Sequence, residues 1–329
     1  MMEIFKTKVE SNPFIYNYRK IITPAAKIII AFGLIYYLIS NIKLSDIINA
    51  INEVNVILIT ISISLSFINL YLQFYKWKIT ANSILNEYNN KKIFISLFQG
   101  FSAAVFTPAR IGEYFGRALA FNEKSLLQVT LATLLDKFFP LLIVAFCGSL
   151  ASILFIHFYY EASNYLTVSL FIVLFILFYF IVLSLFNKNF WDNVLFNKIQ
   201  NSKYFSRYFN KVAKLKNLDR NYSAKMFLIS FLFYMCYLLQ YVILVAAFSH
   251  HNSFLNYFWA ANLLMFSKTI IPPVSFGELG IREGASVFFI QQFGESASVG
   301  FNASIFLFLI NVLFPALIGL LLIFRKNND

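Results

Sequence analysis

The sequence predicts an all-α integral membrane protein, with about six transmembrane helices and two re-entrant broken-helix hairpins in an inverted repeat. Three observations carry that prediction. First, the 329 residues are 59% hydrophobic and 19% aromatic with only 13% charged, where a soluble domain carries about 25% charged residues. Second, several apolar runs reach the roughly 20 residues that a helix needs to cross a hydrocarbon layer about 30 Å thick. Third, one charged motif occurs twice. Phe101-Ser102, Pro108, Gly112-Glu113 and Arg117 recur at identical spacing as Phe266-Ser267, Pro273, Gly277-Glu278 and Arg282.

Residues 1–22 hold Lys6, Lys8, Arg19 and Lys20 with no small-residue cleavage site, so they read as a cytoplasmic segment rather than a removable signal. Spans follow at 23–40, 54–75, 125–156, 164–186, 226–248 and 298–324. The runs 93–106 and 254–271 are different, because each leads into a copy of the motif. The first would make about 21 Å of helix before Pro108 stops it, and a second short amphipathic piece comes after. Such a pair fits a hairpin that turns back inside the membrane, over 93–121 and again over 254–293. Residues 23–156 then form a first membrane repeat and 157–324 a second, with a tail at 325–329. If both hairpins cross fully as helix pairs, the count is eight transmembrane helices and the strict inversion is lost.

Loop charge orients the chain. Lys20 and Lys27 place the amino terminus inside, and the 41–53 loop, with one lysine against Asp46 and Glu53, falls outside. Lys76, Lys78, Lys91, Lys92 and Lys124 mark the following loops as inside. Residues 157–163 have no lysine or arginine and fall outside. The loop 187–225 holds nine basic side chains against Asp192 and Asp219 and falls inside; contact with anionic lipid head groups is compatible with it. His250-His251 fall outside, and Arg325-Lys326 bring the carboxyl terminus back inside. The first hairpin thus dips from the cytoplasm and the second from the opposite face, an arrangement that in many secondary transporters puts the substrate site near the midplane at broken helices.

Arg117, Glu113, Asp136, Lys137, Glu278, Arg282 and Glu283 lie where lipid would otherwise surround them. Insertion scales make that a penalty on the order of 20 kcal/mol if all faced hydrocarbon, so they must pair or line a wet cavity. The plainer alternative is ion pairs that pin broken helices. The chemistry suits an anion: arginine offers a planar fork of donors to phosphate, and a helix starting after Pro108 or Pro273 aims free N–H groups into the membrane. Gly112, Gly277 and Gly280 allow close backbone approach. Arg110, Arg117 and Arg282 are therefore candidates to hold a lipid phosphate, with Glu113, Glu278 and Asp136 as their partners, and Glu113 or Glu283 as carriers of a coupling proton. Ser62, Ser66, Asn69 and Gln73 form a polar stripe on the second span, read first as interhelical hydrogen bonds.

Other classes leave no trace. No Gly-rich phosphate loop with a lysine appears, and no HExxH or Cys/His cluster. Cys147 and Cys236 sit in apolar runs as small hydrophobes. No metal, cofactor or nucleic acid is expected.

The stretches "TPARIGEYFGR" and "PPVSFGELGIREG", on either side of a basic loop, resemble the flippase-like family also called the lysylphosphatidylglycerol synthase transmembrane region, which includes the membrane half of the bacterial multiple peptide resistance factor. The resemblance covers roughly 24–325. It implies a multi-pass inner-membrane protein that moves or presents a lipid between leaflets, an aminoacylated phosphatidylglycerol in the resistance factor and isoprenoid-linked sugars elsewhere. Pro108, Arg110, Gly112, Glu113 and Arg117 match the first family motif; Gly277, Gly280, Arg282 and Glu283 match the second. Ala132-Thr133 replace a Glu-Arg pair common before the aspartate, Glu278 stands where glycine is common, and the arginine follows Gly-Glu by four residues rather than three. No synthase domain is expected. A translocase of a phosphate-bearing lipid is the leading reading; a membrane enzyme using Asp136, Glu113 and Glu283 on a lipid-linked sugar, or a non-catalytic partner of a lipid-modifying enzyme, are the alternatives.

Overall fold

The computed structural model describes residues 44–105, 107, 110–121, 123–186, 220–249, 251, 253–271 and 280–326, and the regular elements among them are all helical. In chain order these are α1 (Leu44–Asn52), α2 (Val56–Thr80, continued by a π turn Ala81–Leu85), α3 (Asn90–Val105), α4 (Gly112–Ala118), α5 (Leu126–Tyr159) and α6 (Asn164–Phe186). After them come α7 (Arg220–Phe248), α8 (Phe254–Ile270), α9 (Ile281–Gln292), α10 (Ala297–Phe308, with a π turn Leu309–Leu313) and α11 (Phe314–Lys326).

Five of these helical runs are long and apolar enough to cross a membrane: Val56–Leu85, Leu126–Tyr159, Asn164–Ser184, Arg220–Phe248 and Ala297–Ile323. They coincide with five of the six spans expected from hydropathy. The sixth, 23–40, lies outside the described residues, as do the amino-terminal segment, most of the basic loop, and 327–329 of the tail. The protein is a multi-pass helical membrane protein.

Two local differences from the sequence reading have simple causes. Residues 41–53 were expected as a loop, but Leu44, Ile47, Ile48 and Ile51 recur at helical spacing and 44–52 form α1. The second span was expected to end at 75, before Lys76; instead the helix runs on to Leu85, because the Lys76 side chain turns inward and is buried.

α2 and α7 form the central antiparallel pair. Their contacts run from Asn55 N donating to Ala247 O (2.9 Å), through Gln240 Nε2 on Ser62 O (2.9 Å), to Thr80 Oγ1 beside the Tyr222 hydroxyl (3.3 Å). The bundle therefore has one end marked by Leu85 and Arg220 and another marked by Asn55 and Phe248. Among the described helices α6 packs chiefly on α5 and α7, and it is exposed along most of its length, as a lipid-facing helix would be.

Against this frame pack the two hairpins. In the first, α4 folds back along α3: Ser96 Oγ donates to Arg117 O (2.8 Å), and Gly112 and Gly116 lie on the backbone carbonyls of Ala103 and Gln99. A Cβ at Gly116 would sit 2.5 Å from Gln99 O, so only glycine lets the arms close. Its open end meets the Leu85 end of the bundle, where Phe121 packs on Trp77. In the second, α8 and α9 pair through Trp259 and Phe293 (5.3 Å between ring centroids), and Trp259 Nε1 donates to Ala151 O near the far end of α5. The second open end thus lies at the Asn55 end. The hairpins enter the bundle from opposite ends, and Phe101 and Arg110 from one approach Lys268 and Thr269 from the other across a shared cavity.

Candidate functional site

Thr107 builds the first hairpin's turn. Its hydroxyl donates to Ala103 O (2.9 Å) and accepts from Gly112 N (2.7 Å), which caps both arms at once. Between them Arg110 is held at φ 56°, a left-handed conformation that costs a side-chain-bearing residue roughly 1–2 kcal/mol. α4 then places Glu113 and Arg117 one turn apart on the face toward α5.

α5 supplies the other half. Ser125 and Gln128 close a capping box that fixes its start, and Asp136-Lys137 follow in its third turn. Arg117 bridges the two carboxylates, with Nη2 2.7 Å from Glu113 Oε1 and Nη1 2.9 Å from Asp136 Oδ2. Lys137 Nζ meets Glu113 Oε2 at 2.5 Å, and Arg110 Nη2 approaches the same oxygen at 3.5 Å. The Arg117 guanidinium lies 4.3 Å above the Trp77 ring and Lys137 lies 5.4 Å from that of Tyr114. Glu113, Arg117 and Asp136 are almost wholly buried.

Lys76 completes the cluster, and the reason can be traced to Pro140. A proline inside a helix has no N–H for the carbonyl four residues before it. That carbonyl belongs to Asp136, and Lys76 Nζ donates to it at 2.9 Å while standing 3.5 Å from Asp136 Oδ1. One ammonium thereby serves both the broken backbone and the carboxylate.

These groups form one wall of a cavity of about 270 Å³. Asn69 and Gln73 of α2, Tyr237 of α7, Lys268 and Thr269 of α8, and Asn311 of α10's π turn line the rest. Lys268 Nζ stands 4.8 Å over the Tyr237 ring.

The other candidate residues lie elsewhere. Gly280 takes φ 91° at the start of α9, a conformation open to glycine, and its N–H donates to Glu283 Oε2 at 2.6 Å. Arg282 is ion-paired with Glu283, donates to Ser304 Oγ (3.1 Å), and lies 4.8 Å from the Phe308 ring. Arg282, Glu283 and Ser304 are fully buried and do not line the cavity. Glu278, Pro108, Pro273 and Gly277 fall outside the described residues.

Residues 25–319 match the family model described as the lysylphosphatidylglycerol synthase TM region. The chain belongs to that family. No curated protein matches it. Membership in the lysylphosphatidylglycerol synthase TM region makes this a membrane protein related to lipid modification or transport, and the match takes in both hairpins and Asp136-Lys137.

Within this family member the polar stripe of α2 divides in two. Ser62 and Ser66 are buried toward the helix pair, with Gln240 on the Ser62 carbonyl. Asn69 and Gln73, joined at 2.8 Å, face the cavity. Reading the sequence missed Lys76 and Lys268 as site residues. For Lys76 a signal existed, since Pro140 leaves the Asp136 carbonyl needing a donor; for Lys268 the only hint was its place directly after the repeated Phe-Ser.

Proposed function

We propose that this member of the lysylphosphatidylglycerol synthase TM region family is a lipid translocase that carries a phosphate-bearing head group through the cavity between its hairpins. The observation that carries this reading is the convergence of two hairpins, entering from opposite ends, on one chamber whose charged lining residues, among those described, are mostly basic. Intramembrane ionisable groups are costly, and where they line a wet cavity they mark a pathway. A phosphate suits donors that are fixed in place before it arrives. The inner membrane, with both termini cytoplasmic, is the expected setting, and the basic 187–225 loop is the surface expected to meet anionic lipid or a lipid-modifying enzyme.

An enzymatic role is less well supported. Glu113 has both oxygens engaged, by Arg117 on one side and by Lys137 and Arg110 on the other; Asp136 is held between Arg117 and Lys76. Neither is placed as an unencumbered acid or base toward the cavity.

The test is leaflet exchange of fluorescent anionic lipid in vesicles containing the purified chain. Lys137→Gln changes a partly exposed side chain and should slow exchange by about tenfold, equivalent to 1.4 kcal/mol in the barrier. Exchange at the wild-type rate in both Lys137→Gln and Arg117→Gln would sink the assignment. Chemical conversion of the lipid in detergent, where there are no leaflets, would favour the enzyme.

A further inference from the structure

We infer that the cavity selects a head group of net negative charge, of the phosphate monoester class, over an aminoacylated one; this rests on the translocase reading of the same site and narrows its cargo. Among the described residues the cavity is lined by five basic side chains, Lys76, Arg110, Arg117, Lys137 and Lys268, and by two carboxylates, Glu113 and Asp136. Counting Glu278 as a third carboxylate, although its place is outside the described residues, still leaves the basic groups in excess by two. A surplus of positive charge on a cavity wall inside a bilayer favours a ligand that supplies negative charge. A phosphate monoester carries about −1.5 to −2 near neutral pH, which matches the surplus; a phosphodiester supplies one charge. A lysyl ester added to phosphatidylglycerol reverses the sign of the head group.

Two features of the lining point the same way. Both carboxylates face the protein's own cations, so a ligand ammonium would have to compete with Arg117 and Lys137 for Glu113, and for Asp136 with Arg117 at Oδ2 and with Lys76, 3.5 Å from an Oδ1 that has no hydrogen bond among the described residues. Asn69, fully buried on the opposite wall, keeps an amide nitrogen with no hydrogen-bond partner among the described residues, a donor suited to a phosphate oxygen. The one lining amide oxygen without a partner there, Asn311 Oδ1, is neutral and suits a hydroxyl.

The experiment measures binding and leaflet exchange separately, using the full chain in nanodiscs and in vesicles. The probes are phosphatidic acid, phosphatidylglycerol, lysylphosphatidylglycerol and inorganic phosphate alone. Phosphatidic acid should bind at least about tenfold more tightly than phosphatidylglycerol, with lysylphosphatidylglycerol weakest. Lys268→Gln, which removes one cation at the far wall, should cut the preference for phosphatidic acid over phosphatidylglycerol by about tenfold while the unliganded melting temperature stays near wild type. Binding of lysylphosphatidylglycerol equal to or tighter than phosphatidic acid overturns the inference. Inorganic phosphate should displace phosphatidic acid only weakly; displacement at equal concentration would overturn the lipid assignment in favour of a soluble phosphate. Selective binding without exchange defeats the translocase reading and leaves the charge selection standing, whereas exchange that ignores head-group charge does the reverse.

Discussion

Arg117 and Arg282 occupy the same position in a duplicated motif, yet one stands at the wall of a cavity and the other is sealed in the protein. Arg117 shares its charge with Glu113 and Asp136, and Lys76, Lys137 and Arg110 crowd the same carboxylates. Arg282 is described in an ion pair with Glu283, supported by the Ser304 hydroxyl. Among the described residues both copies of the motif lead into a short helix that carries the arginine, and the neighbouring helix decides the chemistry. α5 brings an Asp-Lys dipeptide to the first copy; α10 brings a serine to the second. Both hairpins carry the motif, but among the described residues only the first has a polyionic partner.

The sharpest way to break that comparison is to remove each arginine. Arg282→Ala leaves Glu283 buried without its described cation, a change of the kind that costs about 3–5 kcal/mol. At Arg117 three other cations remain to face Glu113 and Asp136, so Arg117→Ala should lose less stability, about 1–3 kcal/mol, while abolishing lipid exchange. Denaturation of the purified variants beside their exchange rates checks both halves. The pair replacement Arg282→Met with Glu283→Gln keeps an acceptor for Gly280 N and should recover most of the lost stability, because a neutral pair removes the buried charge. Equal stability losses at the two arginines would mean that the copies are energetically alike.

What the sequence could and could not show follows the same division. Hydropathy located the described spans because a bilayer demands one thing of every span, about 20 apolar residues with satisfied backbone. The pairing of Arg117 with Glu113 and Asp136 was legible because charges at membrane depth must find partners. Lys76 misled, since a lysine at the end of an apolar run looks the same whether it turns to water or inward to Asp136. Gly116 and Gly319 were unreadable as packing residues: their need for a bare Cα arises from Gln99 and Phe98 carbonyls that only the assembled helices bring near.

A double-mutant cycle sharpens the account of Lys76 and Pro140. Lys76→Met removes the donor to the Asp136 carbonyl and one cation from its carboxylate, and should destabilise the chain by about 1–3 kcal/mol. Pro140→Ala returns an intrahelical N–H to that carbonyl. If the lysine replaces the missing backbone donor, the double variant should recover about 1 kcal/mol relative to the sum of the singles. Strict additivity would leave Lys76 acting through the carboxylate alone.

The smallest expected effect is at Gly284 in the second hairpin, and set beside Gly116 in the first it returns to the difference between the two copies. Gly116 in α4 lies against α3, where a Cβ would come 2.5 Å from Gln99 O and 2.7 Å from the Ala103 Cβ. Gly116→Ala must therefore spread the first hairpin, at about 1–3 kcal/mol for an overpacked contact. Gly284 in α9 is also helical, but a Cβ there meets nothing within 4 Å among the described residues. Removing a helix-interior glycine without a clash should stabilise the second hairpin by about 0.5–1 kcal/mol. Opposite signs for the two substitutions, read as shifts in melting temperature, would show that the first hairpin is closed by backbone contact and the second is held by its side chains, Trp259 with Phe293 foremost. A loss of stability in both would mean that α9 approaches a neighbour as tightly as α4 does, and the contrast between the copies would then rest on their charges alone.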